Sequence, residues 1–495
     1  MLGLFSPKVD HPLADAREVR RLLVELPALD ASAALESATA WLESLVATPE
    51  FPPGRRLELV LQIDEAVRPQ SGKLARDYLA PTQSRARAFR LWQIGHAYWV
   101  ALAAAYRQTL LLHRDDPANI DIPRPQLALL CARLLHAYGG ELKWEQFCYG
   151  PLDGGLWQLA GDAYLEAGRG KVASATASLY ANAGATTPEA EYLRILILQS
   201  SSMDKLLPIE IEIAERLITH LLPSFSLTDQ ARPDNVYWVD LAKPLPPTRL
   251  AVIPAITPTL RFFATGSALA ALARLRAGIA ARGELPADVN FGGRYSPRVV
   301  LPVLDHLNTC WSPVPPMRGH ERRQVKSRMS IAHGLAEIRR HLLGLPMEAD
   351  DGDSWLVENV SQGGIGAQVA LTGKEWLKVG VLVGMRPEGG DNWLVGVVRR
   401  FSRLSDSTGG VGIETLSKTP HGLVADSRGL STELIALDPL GEGEYVRLAL
   451  SPAAWEEQIP LKVEVEGRRF WLFPNALVED GARHVIGQYR AELAV

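Results

Sequence analysis

From Pro12 to about Phe225, apolar positions recur every three to four residues, and prolines and glycines divide the stretch into helices. The first predicted helix, residues 14–26, stops at Pro27. Residues 31–46 follow Asp30, whose carboxylate suits a helix N-cap, and end ahead of Pro49, Pro52 and Pro53. Longer helices are expected over 55–67 and 82–112. Another is expected over 125–138, closed by Gly139 and Gly140 in the position where helices take a left-handed cap. Residues 188–198 and 207–222 continue the same pattern.

Residues 154–184 predict a helical hairpin: LWQLAGDAYLEAG, a Gly-Arg-Gly turn, then KVASATASLYANAG. Bulky Trp157, Tyr164 and Tyr180 alternate with Ala160, Ala173 and Ala175, as two closely packed helices require. This unit resembles, weakly, one element of a tetratricopeptide-like array. No fixed repeat period accompanies it, so the expectation is an irregular antiparallel helical scaffold. Near Ser224 the texture changes. Val236, Tyr237, Trp238 and Val239 favour a strand, and Pro244, Pro246 and Pro247 suit a connector. Residues 261–283 and 295–311 read as helices again, and a proline-rich stretch at 313–317 follows.

Beyond it the period shortens to two. Residues 355–369 (WLVENVSQGGIGAQV) begin as a strand, break at a polar turn and resume with Ile365, Ala367 and Val369. Runs at 379–383, 393–399 and 410–414 extend the pattern toward a barrel. After Pro420, residues 433–437, 445–450, 461–465 and 469–473 alternate like strands of a second barrel or an extension of the first. The fold class is multidomain α and β. The expected parts are an α-helical scaffold (1–225), a mixed connector with helices (226–317), a β-barrel (318–420) and a β-rich extension (421–495).

Composition narrows the function. Hydrophobic residues make up 47% and charged residues 22% of 495, an ordinary globular balance. A net charge of -4 gives no global attraction to nucleic acid or anionic membrane, so any basic site is local. Cys131, Cys148 and Cys310 are far apart and read as reduced core thiols of a cytoplasmic protein. The N-terminus lacks the basic start and long apolar run of a signal peptide, and residues 98–112 are too short to span a bilayer.

The local basic focus is RGHERRQVKSR. Residues 318–340 carry seven Lys or Arg against two Glu. About thirty residues after this run comes the turn with Asn359, Ser361, Gly363 and Gly364, side chains that bond nearby backbone or accept positive φ. An arginine cluster ahead of an Asn-x-Ser-x-x-Gly turn, with GVVRR and GVGIE following, resembles the PilZ domain over roughly residues 318–420. That resemblance implies a small β-barrel that binds cyclic di-GMP and no cofactor. It assigns guanine-edge contacts to Asn359 and Ser361, close approach to Gly364, and phosphate and stacking contacts to arginines on the flexible segment ahead of the first strand. The best carry-over for those arginines is Arg322, Arg323 and Arg328, with Arg318, Lys326 and Arg400 as additional candidates. The family's Arg-x-x-x-Arg spacing fits Arg318 with Arg322 and Arg322 with Lys326, but not Arg323 with Arg328, and lysine lacks the fork and the stacking face. The acidic loop at 344–353 would screen the site if it folded over it. The implied function is a non-enzymatic second-messenger receptor that couples the barrel to a protein partner of the helical region, by family analogy motility or pilus machinery. The alternative is a degenerate barrel that binds proteins without nucleotide.

Other chemistry falls away. Gly168, Gly170 and Lys171 lack the rest of a P-loop, and no His-Glu-x-x-His or Gly-x-Ser-x-Gly occurs. His333 and Glu337 are expected on the first strand without a metal partner. Trp92, Trp99, Trp144 and Trp157 lie on apolar helical faces and read as core.

Overall fold

The structure is a computed structural model and describes residues 9–81, 84–115, 122–151, 154–181, 184–289, 295–314, 321–345, 353–481 and 483–494. These residues form two compact units, a helical unit (9–203 and 208–314) and a barrel unit (204–207 and 321–494).

The helical unit begins with α1 (Ala16–Glu25), α2 (Ala31–Ala47), α3 (Pro53–Tyr78) and α4 (Arg85–Asp115). Asp30 caps α2 by accepting the amide protons of Ser32 and Ala33 at 2.9 and 3.1 Å. Helix α3 does not stop at Val67 but passes through Pro69. The proline sacrifices the bond to the Glu65 carbonyl, and Glu65, Arg68 and Pro69 are exposed, so the loss falls on the solvent side of the helix. Helix α5 (Arg124–Phe147) likewise runs through Gly139 and Gly140, which are not a cap. A Cβ on Gly139 would lie 2.5 Å from the Arg194 guanidinium, and one on Gly140 would lie 2.3 Å from the Trp99 ring. These glycines admit neighbours to the most buried helix of the unit, which packs against α4, α6 (Gly154–Arg169), α7 (Pro188–Ser200) and α8 (Pro208–Leu221).

The predicted hairpin is half formed. Helix α6 is present, but the segment after it turns at Lys171 (φ 54°) and holds only β1 (Ala177–Ser178), paired with β2 (Ala185–Thr186). Ser174, Thr176 and Ser178 favour such turns over helix. Tyr180 is instead drawn into the core, where its hydroxyl donates to Asp64 at 3.2 Å. Asp64, 1% exposed, also accepts from Tyr98 (3.2 Å) and Tyr106 (2.8 Å) and pairs with buried Arg133. One carboxylate thus joins α3, α4, α5 and the loop.

A four-stranded sheet follows, in the order β3 (Ser226–Thr228), β6 (Leu260–Ala264), β4 (Asn235–Asp240), β5 (Thr248–Arg249). The stretch read as helix from Arg261 therefore starts as strand β6, and α9 begins only at Ala268 and runs to Arg282. Phe262 and Phe263 are buried, as a central strand requires. Helix α10 is Pro297–Trp311.

The barrel unit is all-β apart from α11 (Leu335–Leu342) and a single short turn of helix among its described residues. Its first closed barrel contains β7 (Arg323–His333), β8 (Asp353–Ser361), β9 (Gly364–Ala370), β10 (Leu382–Pro387), β11 (Leu394–Arg403) and β12 (Thr408–Ser417), in the order β10-β11-β12-β9-β8-β7. Strand β7 ends at His333, so Glu337 sits in α11 rather than on the strand. The region after Pro420 is a second closed barrel: β13 (His421–Ser427), β14 (Leu430–Ala436), β15 (Tyr445–Leu450), β16 (Leu461–Val465), β17 (Arg468–Asp480) and β18 (Val485–Leu493). The two barrels share a core in which Ala332, Ile338, Leu382 and Val395 meet Ile435, Leu437, Ala449 and Ile486. Polar ties rim it: Arg399 bonds both Glu479 oxygens (2.9 and 2.6 Å), and Arg339 bonds Glu433 (2.6 Å).

Candidate functional site

Strands β8 and β9 are joined by a tight turn in which Ser361 faces Gly364 across the ladder. The Ser361 hydroxyl donates to the Gly364 carbonyl at 3.2 Å, and the Thr415 amide ties the Gly363 carbonyl to β12 at 3.1 Å. A Cβ on Gly364 would stand 2.4 Å from the Ile413 carbonyl oxygen, so glycine is needed there for strand approach. Asn359 faces Gly366, and a Cβ on Gly366 would be 2.6 Å from the Asn359 Nδ2. Gly366 therefore makes room for the Asn359 side chain. Sequence reading passed over it, although a glycine inside an apolar strand run signals such an approach.

The register sets the arginines against this turn. Arg323 pairs with Val360 and Gln324 with Asn359. Arg322 immediately precedes the strand. The arginine segment is thus part of β7 from Arg323 onward, not a flexible leader to it. A bulge follows, with Val325 and Lys326 together opposing Glu358 before Ser327 meets Val357. Arg322, Arg323 and Lys326 are exposed, and no carboxylate among the described residues pairs with them. Arg328 stands five residues along the strand, about 16 Å from Arg323. There it faces exposed Leu356, and its backbone exchanges bonds with Glu388 at 2.9 and 3.3 Å. Arg318 and residues 346–352 of the acidic loop lie outside the described residues.

A row runs across the outer face of four strands. Asn359 faces Gly366, Gly366 faces Gly412, and Gly412 faces Arg400. Residues in register share a face, and the neighbouring Ala367, Val411 and Ile413 point into the barrel, so this row points out. Two adjacent glycines make a shelf without side chains between Asn359 and Arg400. Arg400 is ion-paired with Asp204, one of the four residues (204–207) grouped with the barrels. Arg399 beside it is bound to Glu414 and Glu479; burial opposes its charge, and these two carboxylates outweigh that and raise its pKa. The unpaired cations therefore lie beside the turn at the β7 end: Arg322 just ahead of the strand, and Arg323 in register with Val360, Ile365 and Ile413, on the face opposite the shelf. Guanidiniums there present flat faces and forked donors, the complement of an anion bearing planar rings.

The fold and the site define a protein with a helical unit and paired six-stranded barrels, one of which carries an arginine-flanked, glycine-paved surface. Residues 17–233 match a family model described as Cyclic-di-GMP receptor FimW, N-terminal domain. The match falls ahead of the barrels and spans less than half of the 495 residues. No curated protein matches the chain. Among the described residues, no helix is long and apolar enough to cross a membrane.

Proposed function

We propose that this chain is a non-enzymatic cytoplasmic receptor for cyclic di-GMP, with a PilZ-like first barrel as the binding domain. The observation that carries the reading is the register that sets exposed, unpaired Arg323, with Arg322 next to it, against the Asn359–Ser361 turn. The helical region's likeness to the N-terminal domain of a cyclic-di-GMP receptor supports the same ligand independently. Each charge-assisted bond contributes about 1.5–3 kcal/mol. Two arginines with base stacking and the Asn359 amide approach the roughly 8 kcal/mol of micromolar affinity. Binding then alters how the helical region meets a protein partner. Calorimetry of cyclic di-GMP against the full chain tests this. Low-micromolar binding, weakened at least tenfold by Arg322→Ala with Arg323→Ala, is the expected result. An unchanged affinity in that variant overturns the site.

A second reading rests on Arg328 and Arg400, which are held away from the turn by distance and by Asp204 respectively. With fewer arginines at the turn, the barrel serves as a protein-binding adaptor without nucleotide. The absence of heat or thermal shift at millimolar ligand selects this reading.

A further inference from the structure

The helical unit contains a cleft of about 1190 Å³ that the barrel site does not use. One wall is the face of α3 from Arg68 to Leu79, and the facing walls come from α7, α8 and the rim of β3. Most cations there are already neutralised. Lys143 pairs with Glu212 at 3.1 Å, Arg216 pairs with Glu212 at 2.7 Å, and Arg194 pairs with Glu191 and Glu215 at 3.1 and 2.9 Å. Arg68 and Arg76 differ. Both are exposed, and neither has a carboxylate partner among the described residues; Arg68 instead stacks 3.9 Å from the Tyr180 ring centroid. Glu189 of α7 lines the cleft with the Tyr164 hydroxyl, at 2.8 Å, as its partner, and the cations without a carboxylate partner are confined to the α3 wall.

Between these arginines lies Gly72. Glycine inside a helix costs stability relative to alanine, so its presence calls for a reason. Gly95 has one, because its missing Cβ would lie 2.5 Å from the Trp144 ring. Gly72 has none in packing: the nearest atom a Cβ would meet is the Arg76 Nη1, at 3.5 Å. With Ser71 and Ala75 beside it, Gly72 leaves a low floor across which the Arg76 side chain reaches, and the backbone positions of the two arginines are about 12 Å apart along the helix. Carboxylates four residues apart on one side of an extended chain are about 13 Å apart, which matches. Strand β3 contributes Ser226 and Leu227 to the same cleft and, among the described residues, pairs only with β6. Its other edge offers main-chain bonds to an extended chain. Leu79, Leu193 and Leu222 add apolar surface to the cleft.

We infer that the cleft docks an extended acidic segment of a protein partner, its two carboxylates on Arg68 and Arg76, the latter reaching over Gly72, and its intervening apolar residues against the facing wall. This deepens the partner-binding half of the proposed function and does not depend on the nucleotide site. The test is fluorescence anisotropy of the full chain with labelled ten-residue peptides. Each peptide carries two glutamates at three-, four- or five-residue separation among leucines and valines, and each has a lysine counterpart. The four-residue spacing is expected to bind best. Arg76→Glu and, separately, Gly72→Leu should each weaken it at least tenfold while the circular dichroism spectrum is unchanged. Leucine is a better helix former than glycine, so Gly72→Leu keeps the fold. The same peptide should bind the Arg322→Ala, Arg323→Ala chain as tightly as the wild type, which separates this inference from the nucleotide reading. Absence of binding by every peptide, equal binding of lysine counterparts, or wild-type affinity in both cleft variants overturns it.

Discussion

Asp64 and Glu65 are neighbours on α3, and both carboxylates reach Arg133, yet their removal should have very different effects. The Asp64 side chain is 2% exposed and that of Glu65 is 55% exposed, while Arg133 is 1% exposed. Replacing Asp64 with alanine removes the acceptor of three buried tyrosine hydroxyls and the buried partner of a buried guanidinium. Burial, then the Asp64 charge, pushes the Tyr98 and Tyr180 pKa values well above the ordinary phenol range, so these hydroxyls remain donors at any working pH. Breaking a buried ion pair from one side costs about 3–5 kcal/mol. Set against a total stability of roughly 5–15 kcal/mol, that lowers the urea midpoint of the helical unit by on the order of 1–2 M. Asp64→Asn, which keeps an acceptor oxygen and loses the charge, should fall between alanine and wild type. Glu65→Ala removes only a solvent-facing partner and should cost less than about 1 kcal/mol. The assay is urea unfolding followed by circular dichroism at the helical minimum. Asp64→Ala and Glu65→Ala with equal midpoints would refute the argument, because burial would then not decide the strength of either contact.

Two further predictions concern acid stability and the shelf on the first barrel. Burial alone would raise the Glu191 carboxyl, but Arg194 and the hydrogen bond with His136 outweigh it and hold the pKa at about 2, against an ordinary value of 4.5. A depressed carboxyl stabilises the fold above 4.5 and loses that contribution as pH falls toward 2, so about 3 kcal/mol should disappear across this window. Urea midpoints at pH 7 and pH 3 for wild type and Glu191→Gln capture the part of it lost above pH 3, about 2 kcal/mol, and an identical acid loss in the two proteins contradicts the assignment. Gly366→Ala places a Cβ 2.6 Å from the Asn359 amide and should displace that side chain. Cyclic-di-GMP affinity should fall two- to tenfold, the value of about one hydrogen bond, with no further loss on adding Asn359→Ala. Additive losses would show that the two residues act separately.

Where local chemistry decided the outcome, the chain was readable in advance. Asp30 caps α2, and Pro27 and the prolines around residue 50 bound the early helices. The alternating C-terminal runs became strands of two barrels. Errors arose where a distant contact overruled a local signal. Gly139 and Gly140 look like a helix end, but Arg194 and Trp99 require them inside one. Residues 171–181 look helical by their bulky-small alternation, but Tyr180 is claimed by Asp64 from more than a hundred residues away. At 260–264 a five-residue run, four of them apolar, is short enough to be either element and became an inner strand of a sheet.

The candidate site shows the same division at finer scale. The turn residues Asn359, Ser361 and Gly364 are legible because a turn is local. The shelf is not, because Gly366, Gly412 and Arg400 meet only through the pairing of three strands. The arginines fall between these cases. A spacing rule along the chain becomes a distance only if the strand is regular, and β7 is bulged at Val325 and Lys326, inside the arginine run. The departure from Arg-x-x-x-Arg and the break in the ladder thus occur at one place. An extra residue in a bulge re-aims the side chains beyond it, so Arg323 and Arg328 are related by the bulge rather than by simple alternation. Counting residues therefore gives the wrong criterion for which arginines act together. The criterion supplied by the fold is position relative to the bulge: Arg322 and Arg323 stand beside the Asn359–Ser361 turn, whereas Arg328, although on the same face as Asn359, lies beyond the bulge against Leu356 and Glu388.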